Sequence, residues 1–308
     1  MIEALAFPFM QKALLAAMVT GSVCAVLSCF LVLKGWSLMG DAISHAVLPG
    51  VVLAYLVGLP LIIGAFASGL ACAVATGYIK ENSRIKEDTV MGIVFSGMFA
   101  FGLVLFSRID SDQHLSHILF GNILGITHDE LVQTVIIGLA VLAIVLMKRR
   151  DLMLYCFDPA QAQVIGLPVK WLHYGLLSLL ALAIVTSLQA VGVILVIAML
   201  IAPGITAFTL CRRFGGMLMV AVAFSVFSCM AGIMLSFYID AASGPCIVIV
   251  QAVGFVLAQT WCQLRMGKLL RLDGRYPLLP VQADFLGRSV KNSSARTGHT
   301  ARQRNMPE

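Results

Sequence analysis

Residues 36–57 read Trp36-Ser37-Leu38-Met39-Gly40-Asp41-Ala42-Ile43-Ser44-His45-Ala46-Val47-Leu48-Pro49-Gly50-Val51-Val52-Leu53-Ala54-Tyr55-Leu56-Val57. Apart from Asp41, His45, Ser37 and Ser44 the stretch is apolar or small. As a helix it is long enough to cross the roughly 30 Å hydrocarbon core of a bilayer. An ionisable side chain at that depth costs several kcal/mol if it faces lipid, so it must face a partner or a wet cavity. Asp41 and His45 are four residues apart and project from one helix face. Pro49 and Gly50 loosen the helix one turn further on. The stretch therefore predicts a membrane span with an acid–imidazole pair on one side.

Working outward, eight more apolar runs reach span length. They are Ala13–Leu33, Leu61–Ile79, Val90–Phe106, Leu131–Met147, Trp171–Leu188, Val191–Leu210, Met217–Tyr238 and Cys246–Cys262. Leu188 to Val191 makes so tight a hairpin that the two runs on either side could be one broken unit. The fold class is thus all-α: a polytopic helical bundle of eight or nine spans, the lower count merging or displacing one helix. Composition agrees, with 60% hydrophobic and 12% charged residues in 308 and a mean hydropathy of +0.96. Those figures exclude a cytosolic enzyme, a disordered chain and a disulfide-stapled secreted module. Continuous apolar runs, without alternation, exclude an outer-membrane barrel. The first run is a span and not a cleaved signal, because it lacks a basic leader and is about 20 residues long.

Loop charges give the orientation. The loop 80–88 holds Lys80, Arg84 and Lys86 and is placed in the cytoplasm. Alternation then puts Lys34, Lys148, Arg149, Arg150, Lys170, Arg212, Arg213 and the C-terminal basic residues on the same side. In all, 19 of the 21 Lys and Arg lie there, and only Lys12 and Arg108 lie outside. The expected topology is N-out, C-in. Residues 1–263 form the transmembrane domain. Residues 264–308 form a basic cytoplasmic tail with nine Lys/Arg against three Asp/Glu, which carries the whole net charge of +6. Such a tail is expected to be disordered or to lie on anionic headgroups, and not to bind nucleic acid.

Two connections are long. Ser107–Glu130 is external and contains Gly121-Asn122-Ile123-Leu124-Gly125, a candidate re-entrant or interfacial piece. Leu152–Lys170 is cytoplasmic and predicts a short helix: Asp158 caps it, Pro159 takes the first helical position, and Gly166 and Pro168 stop it. The stretch Arg84-Ile85-Lys86-Glu87-Asp88-Thr89 reads as a positive-inside anchor and an N-cap for the fourth span.

Across the spans, only Asp41 and His45 sit well inside; Glu130, His173 and Asp240 fall at span ends, where water reaches. Carboxylate and imidazole together suit divalent manganese, iron or zinc. The plainer reading is a pair that only fixes helix packing. Two ligands are few, whereas a homodimer would offer two Asp and two His at its axis. Weak binding suits passage, since the ion must leave again. A second, weaker candidate for external metal entry is Asp110, Asp112, His114 and His117, whose two histidines are three residues apart; a solvated polar loop accounts for it as well. The eight cysteines include no CxxC pair and read as small buried hydrophobes. There is no GxxxxGK[ST] phosphate cradle, no HExxH and no chain of intramembrane carboxylates. Energy for uphill movement would have to come from another chain, and the Asp158–Pro168 helix is the natural docking point.

The run Lys34–Gly50 resembles the signature of the manganese/iron/zinc permeases of bacterial ABC importers. Arg84–Asp88 before Gly92-Ile93-Val94-Phe95-Ser96 looks like the second landmark of that family. Leu119–Ile126 is similar to its manganese/iron branch, and Ile197–Gly204 and Asp240–Gly244 continue the match in order, over roughly residues 12–262. The resemblance implies a homodimeric or paired permease in the bacterial inner membrane, multi-pass, without a nucleotide site of its own. It implies cytoplasmic ATP-binding subunits as partners and a periplasmic or extracellular metal-binding protein that delivers the ion. It implies that Asp41 and His45 lie on the metal path. It implies that Asp158, Ala160, Ala162 and Gly166 belong to the coupling helix, the last three echoing the importer motif loosely. No permanent cofactor is implied, only the transported Mn²⁺, Fe²⁺ or Zn²⁺. His114, His117 and the long tail have no counterpart in the pattern. The rivals are a proton-coupled secondary metal carrier with His45 as the titrating group, and an intramembrane enzyme or scaffold.

Overall fold

The computed structural model describes residues 8–36, 38–85, 87–107 and 125–273. Among these residues every regular element is a helix. In chain order they are α1 (Pro8–Lys34), α2 (Met39–Val57), α3 (Leu61–Glu81), α4 (Glu87–Phe106), α5 (His128–Met147), α6 (Arg149–Phe157), α7 (Pro159–Val164), α8 (Val169–Val191), α9 (Val193–Leu210), α10 (Phe214–Ile239) and α11 (Ser243–Asp273). Nine of them are long and apolar enough to cross a membrane: α1 to α5 and α8 to α11. They match the nine runs of the sequence one for one, although α11 continues to Asp273, eleven residues past the expected end at Cys262, so the eight-span alternative falls away. Contacts divide the chain at Gln259/Thr260, and the bundle described below belongs to the first unit.

α1, α2 and α8 are the most buried spans, whereas α4 and α11 are the most exposed. The centrality of α1 follows from its small side chains. In lipid, helices gain little from apolar burial against one another, and close approach of backbones takes over. Ala13, Ala16, Ala17, Gly21, Cys24, Ala25 and Ser28 are all buried. Ser28 Oγ accepts a 3.0 Å hydrogen bond from the Gly204 amide of α9. Ser225 Oγ of α10 donates to the Gly21 carbonyl at 2.9 Å, and the Cys229 thiol faces the Ala17 carbonyl at 3.4 Å. α1 thus serves as the post on which α9 and α10 pack.

α2 is held differently, between α3 and α4. Gly50 of α2 and Gly64 of α3 cross so closely that a Cβ on either would meet the other's carbonyl oxygen. Ser68 Oγ of α3 donates to the Ala46 carbonyl at 2.5 Å. On the other side, Gly102 of α4 lies against Pro49 and Leu48, where a Cβ would fall 2.9 Å from the proline ring.

Several boundaries differ from the sequence reading. α2 begins at Met39, not Trp36, because the chain turns after α1: Trp36 N–H bonds back to the Leu31 carbonyl at 2.9 Å. α4 begins at Glu87, inside the stretch expected to cap it. α6 was not expected: it follows α5 across the single residue Lys148, and its polar Arg149-Arg150-Asp151 start carries no apolar period. α8 and α9 are two helices joined through Gly192 alone, at φ 84° and ψ 165°. That backbone is open to glycine and strained for other residues, which is how so short a connection is made. All eight cysteines are free, and six are buried.

Candidate functional site

Asp41 stands in the first turn of α2, nearer the helix start than the sequence suggested, because the span opens three residues later than expected. A helix N-terminus favours an anion, so the carboxylate sits there without penalty. One turn on, His45 Nε2 lies 3.3 Å from Asp41 Oδ1. Neither is sealed: the side chains are 31% and 34% exposed, respectively. α4 supplies the wall. The His45 ring stacks on Phe95 at 6.1 Å between centroids and meets Phe99 edge-on at 5.1 Å. Ser44 turns away and donates to the Gly40 carbonyl at 2.7 Å. Pro49, with no N–H, cannot return a hydrogen bond to the His45 carbonyl. The pair is therefore a carboxylate and an imidazole in contact with each other, each about one-third exposed, with the ring backed by Phe95 and Phe99. Phe95 enters the sequence reading only within a family landmark and Phe99 not at all; their four-residue spacing on an adjoining span is the available signal.

Among the described residues no three His, Cys, Asp or Glu side chains gather closely enough to hold an ion. Asp110, Asp112, His114 and His117 lie outside the described residues, as does the Gly121–Leu124 part of the candidate re-entrant piece. Glu130 is engaged at the start of α5, where it and Thr127 cap each other: the Thr127 amide donates to Glu130 Oε2 at 3.0 Å and the Glu130 amide to Thr127 Oγ1 at 3.3 Å. Asp240 ends α10 with φ 54°, in the left-handed region.

The short helix α7 forms as its sequence dictates. Asp158 Oδ1 accepts from the amides of Ala160 and Gln161, both at 3.0 Å, and Pro159 opens the helix. At the far end the Leu167 amide reaches the Ala162 carbonyl at 3.0 Å and the Gly166 amide reaches Gln163 at 3.1 Å, with Gly166 at φ 82°. This is a Schellman stop, which needs a residue tolerant of positive φ. Ala162 is fully buried and anchors the helix, while Ala160 faces outward. Phe157, Val164 and Ile165 are exposed around it, Val164 by 85%. A Gly166→Ala substitution strains that stop by about 1–2 kcal/mol. The expected result is amide exchange at Gln161–Ile165 faster by about fivefold to thirtyfold, read by hydrogen–deuterium exchange.

His173 was expected at a wet span end and is instead half-buried in an aromatic cluster. Its Nδ1 shares a 2.7 Å hydrogen bond with Tyr155 Oη of α6. Its ring meets Trp36 edge-on at 5.4 Å, and Lys34 Nζ lies 4.1 Å from the Tyr155 ring centroid. These contacts put the α1–α2 turn and α6–α7 at one end of the bundle. Burial also pushes the neighbouring Cys156 thiol up to about 12, against an opposing pull from the Lys34 ammonium.

Nine apolar helices, a partly open acid–imidazole pair on the second and a capped surface helix between two spans define a multi-pass membrane protein of the permease kind. The chain belongs to the ABC 3 transport family, whose model matches residues 6–262. It is 73% identical over 256 residues to the chelated iron transport system membrane protein YfeD of Yersinia pestis, covering 83% of this chain and 86% of that one. It is 51% identical over 258 residues to the manganese transport system membrane protein MntB of Synechocystis, covering 84% of each. Among solved structures it matches PsaBC of Streptococcus pneumoniae, determined in complex with Fab, with TM-score 0.76 and 40% identity over 83% of this chain and 93% of that one.

Proposed function

We propose that this chain is the membrane-spanning permease subunit of an ATP-driven importer, and that it carries a divalent transition metal, manganese or ferrous iron ahead of zinc, across the bacterial inner membrane into the cytoplasm. The observation that carries the reading is the Asp41–His45 pair at 3.3 Å, half-open at the α2–α4 seam of a chain in this family. A hard carboxylate with an imidazole suits Mn²⁺ and Fe²⁺ and tolerates Zn²⁺. With two ligands per chain, a second permease subunit across the path brings the donor set to four. Such a site binds firmly enough to strip water from the ion and loosely enough to release it.

The loop charges support an N-out, C-in topology, with residues 264–308 as a cytoplasmic tail. In that orientation α7 faces the cytoplasm. Its exposed Phe157, Val164 and Ile165 are an apolar patch at an aqueous boundary, suited to a groove on an ATP-binding subunit. Asp158, Ala160, Ala162 and Gly166 shape that helix. Hydrolysis occurs in the partner chain, since this sequence has no phosphate-binding loop. An external metal-binding protein delivers the ion at the opposite face.

The test is uptake of labelled Mn²⁺, Fe²⁺ and Zn²⁺ by the complex reconstituted in liposomes. Uptake is expected to require ATP and to persist when a protonophore collapses the pH gradient. Uptake by the permease alone, driven by a pH gradient without ATP, would establish a proton-coupled carrier instead.

A further inference from the structure

We propose that Lys34, Trp36, Tyr155 and His173 form the contact through which movement of α7 reaches the metal pair. The inference rests on the function proposed above.

α7 is joined to α6 by Asp158, which ends one helix and caps the next. Displacement of α7 therefore moves α6. Tyr155 sits one turn before that joint and is 3% exposed, so α6 cannot shift without moving the ring or its neighbours. Those neighbours come from three other places. His173 of α8 takes the 2.7 Å hydrogen bond to Tyr155 Oη. Lys34, the last residue of α1, lies over the Tyr155 ring at 4.1 Å and over Trp36 at 5.8 Å. Trp36 occupies the turn into α2, is 2% exposed, and packs edge-on against His173 at 5.4 Å. Among the described residues no acceptor reaches its Nε1, so ring contacts and not a side-chain hydrogen bond hold it. A Cβ added to Gly77 of α3, the helix against which α2 packs most extensively, would fall 3.2 Å from His173 Nε2.

Trp36 precedes Asp41 by five residues, and Met39 N–H bonds to the Trp36 carbonyl at 3.2 Å. The start of α2 is therefore tied to the tryptophan, and Asp41 lies in the first turn built on it. A tilt of α6 passes to Trp36 by rigid contact, and from Trp36 to the carboxylate within about one and a half helical turns. Packed aromatic contacts of this kind switch between discrete arrangements and do not deform smoothly, which suits a two-state cycle. These four are positioning residues: none belongs to the proposed ion site.

The test is the number of metal ions carried per ATP hydrolysed by the reconstituted complex. Tyr155→Phe keeps the ring over Lys34 and removes only the hydroxyl. It is expected to lower uptake severalfold while ATP hydrolysis stays within about twofold of wild type, so the ratio falls. His173→Leu is expected to do the same. His173→Asn, which keeps an acceptor near the Nδ1 position, is expected to restore most of the ratio. The concentration of Mn²⁺ giving half-maximal uptake should not change. A merely structural role would reduce uptake and hydrolysis together and leave the ratio intact. An unchanged ratio in both Tyr155→Phe and His173→Leu overturns the inference. A wild-type complex that moves metal without ATP overturns the function beneath it, and the inference with it.

Discussion

Asp41→Ala is expected to cut metal uptake by at least about tenfold to a hundredfold, the range seen when a residue that only supports a ligand is lost. Stability should hardly change. The carboxylate is 31% exposed and makes its one described ion pair with His45, four residues on. Its favourable interaction with the helix start is worth about 0.3–1 kcal/mol at most at an exposed site. Loss of function without loss of fold separates an ion ligand from a packing residue. Asp41→Asn sharpens the comparison by keeping size and one oxygen while removing the charge. His45→Ala should cut uptake by a similar factor, with a larger stability cost, because the ring packs on Phe95 and Phe99. If both residues hold the same ion, the double variant should be little worse than either single one, since the site is already broken by the first change. Uptake at the wild-type level in Asp41→Ala, or effects of the two substitutions that simply multiply, would remove the pair from the path.

Much of this was legible in the sequence, for identifiable reasons. Spans are long apolar runs, and a bilayer imposes their length, so nine helices were found with boundary errors of a few residues, the far end of α11 excepted. α7 was legible because its cap, its proline and its glycine stop are local signals that act within one turn. The Asp41–His45 pair was legible because charge in an apolar span is rare and spacing alone sets the shared face. What was not legible depends on the third dimension. α6 has no apolar period and no capping residue to announce it. His173 looked like a wet span end, because nothing in residues 169–175 tells that Tyr155, Trp36 and Lys34 will close around it. The aromatic wall of His45 lies on α4, fifty residues later, and only helix packing brings Phe95 and Phe99 to it.

Gly50→Ala is expected to destabilise the protein by about 1–3 kcal/mol or more, the cost of overpacking a tight contact. At this chain length each kcal/mol lowers the melting temperature by about 2–4 °C, readable by thermal unfolding in detergent. The reason is geometric: the new Cβ would fall on the Gly64 carbonyl and against the Ser68 side chain, and backbone cannot rotate out of the way as a side chain can. α2 and α3 must separate, which also stretches the hydrogen bond from Ser68 to Ala46. Gly64→Ala meets the reciprocal obstacle, the Gly50 carbonyl, and should cost a similar amount. The two together should cost less than their sum, because the first substitution has already opened the seam for the second. Gly97→Ala on α4 supplies the contrast: its Cβ meets nothing within 4 Å, so the helix gains up to about 1 kcal/mol from the lost backbone freedom. The seam also matters for transport. His45 sits one turn before Gly50, so a displaced α2 carries the pair away from Phe95 and Phe99 and uptake falls with the melting temperature. A Gly50→Ala protein that melts like wild type would show that α2 and α3 do not cross at these glycines, and would remove the support that fixes the pair against α4.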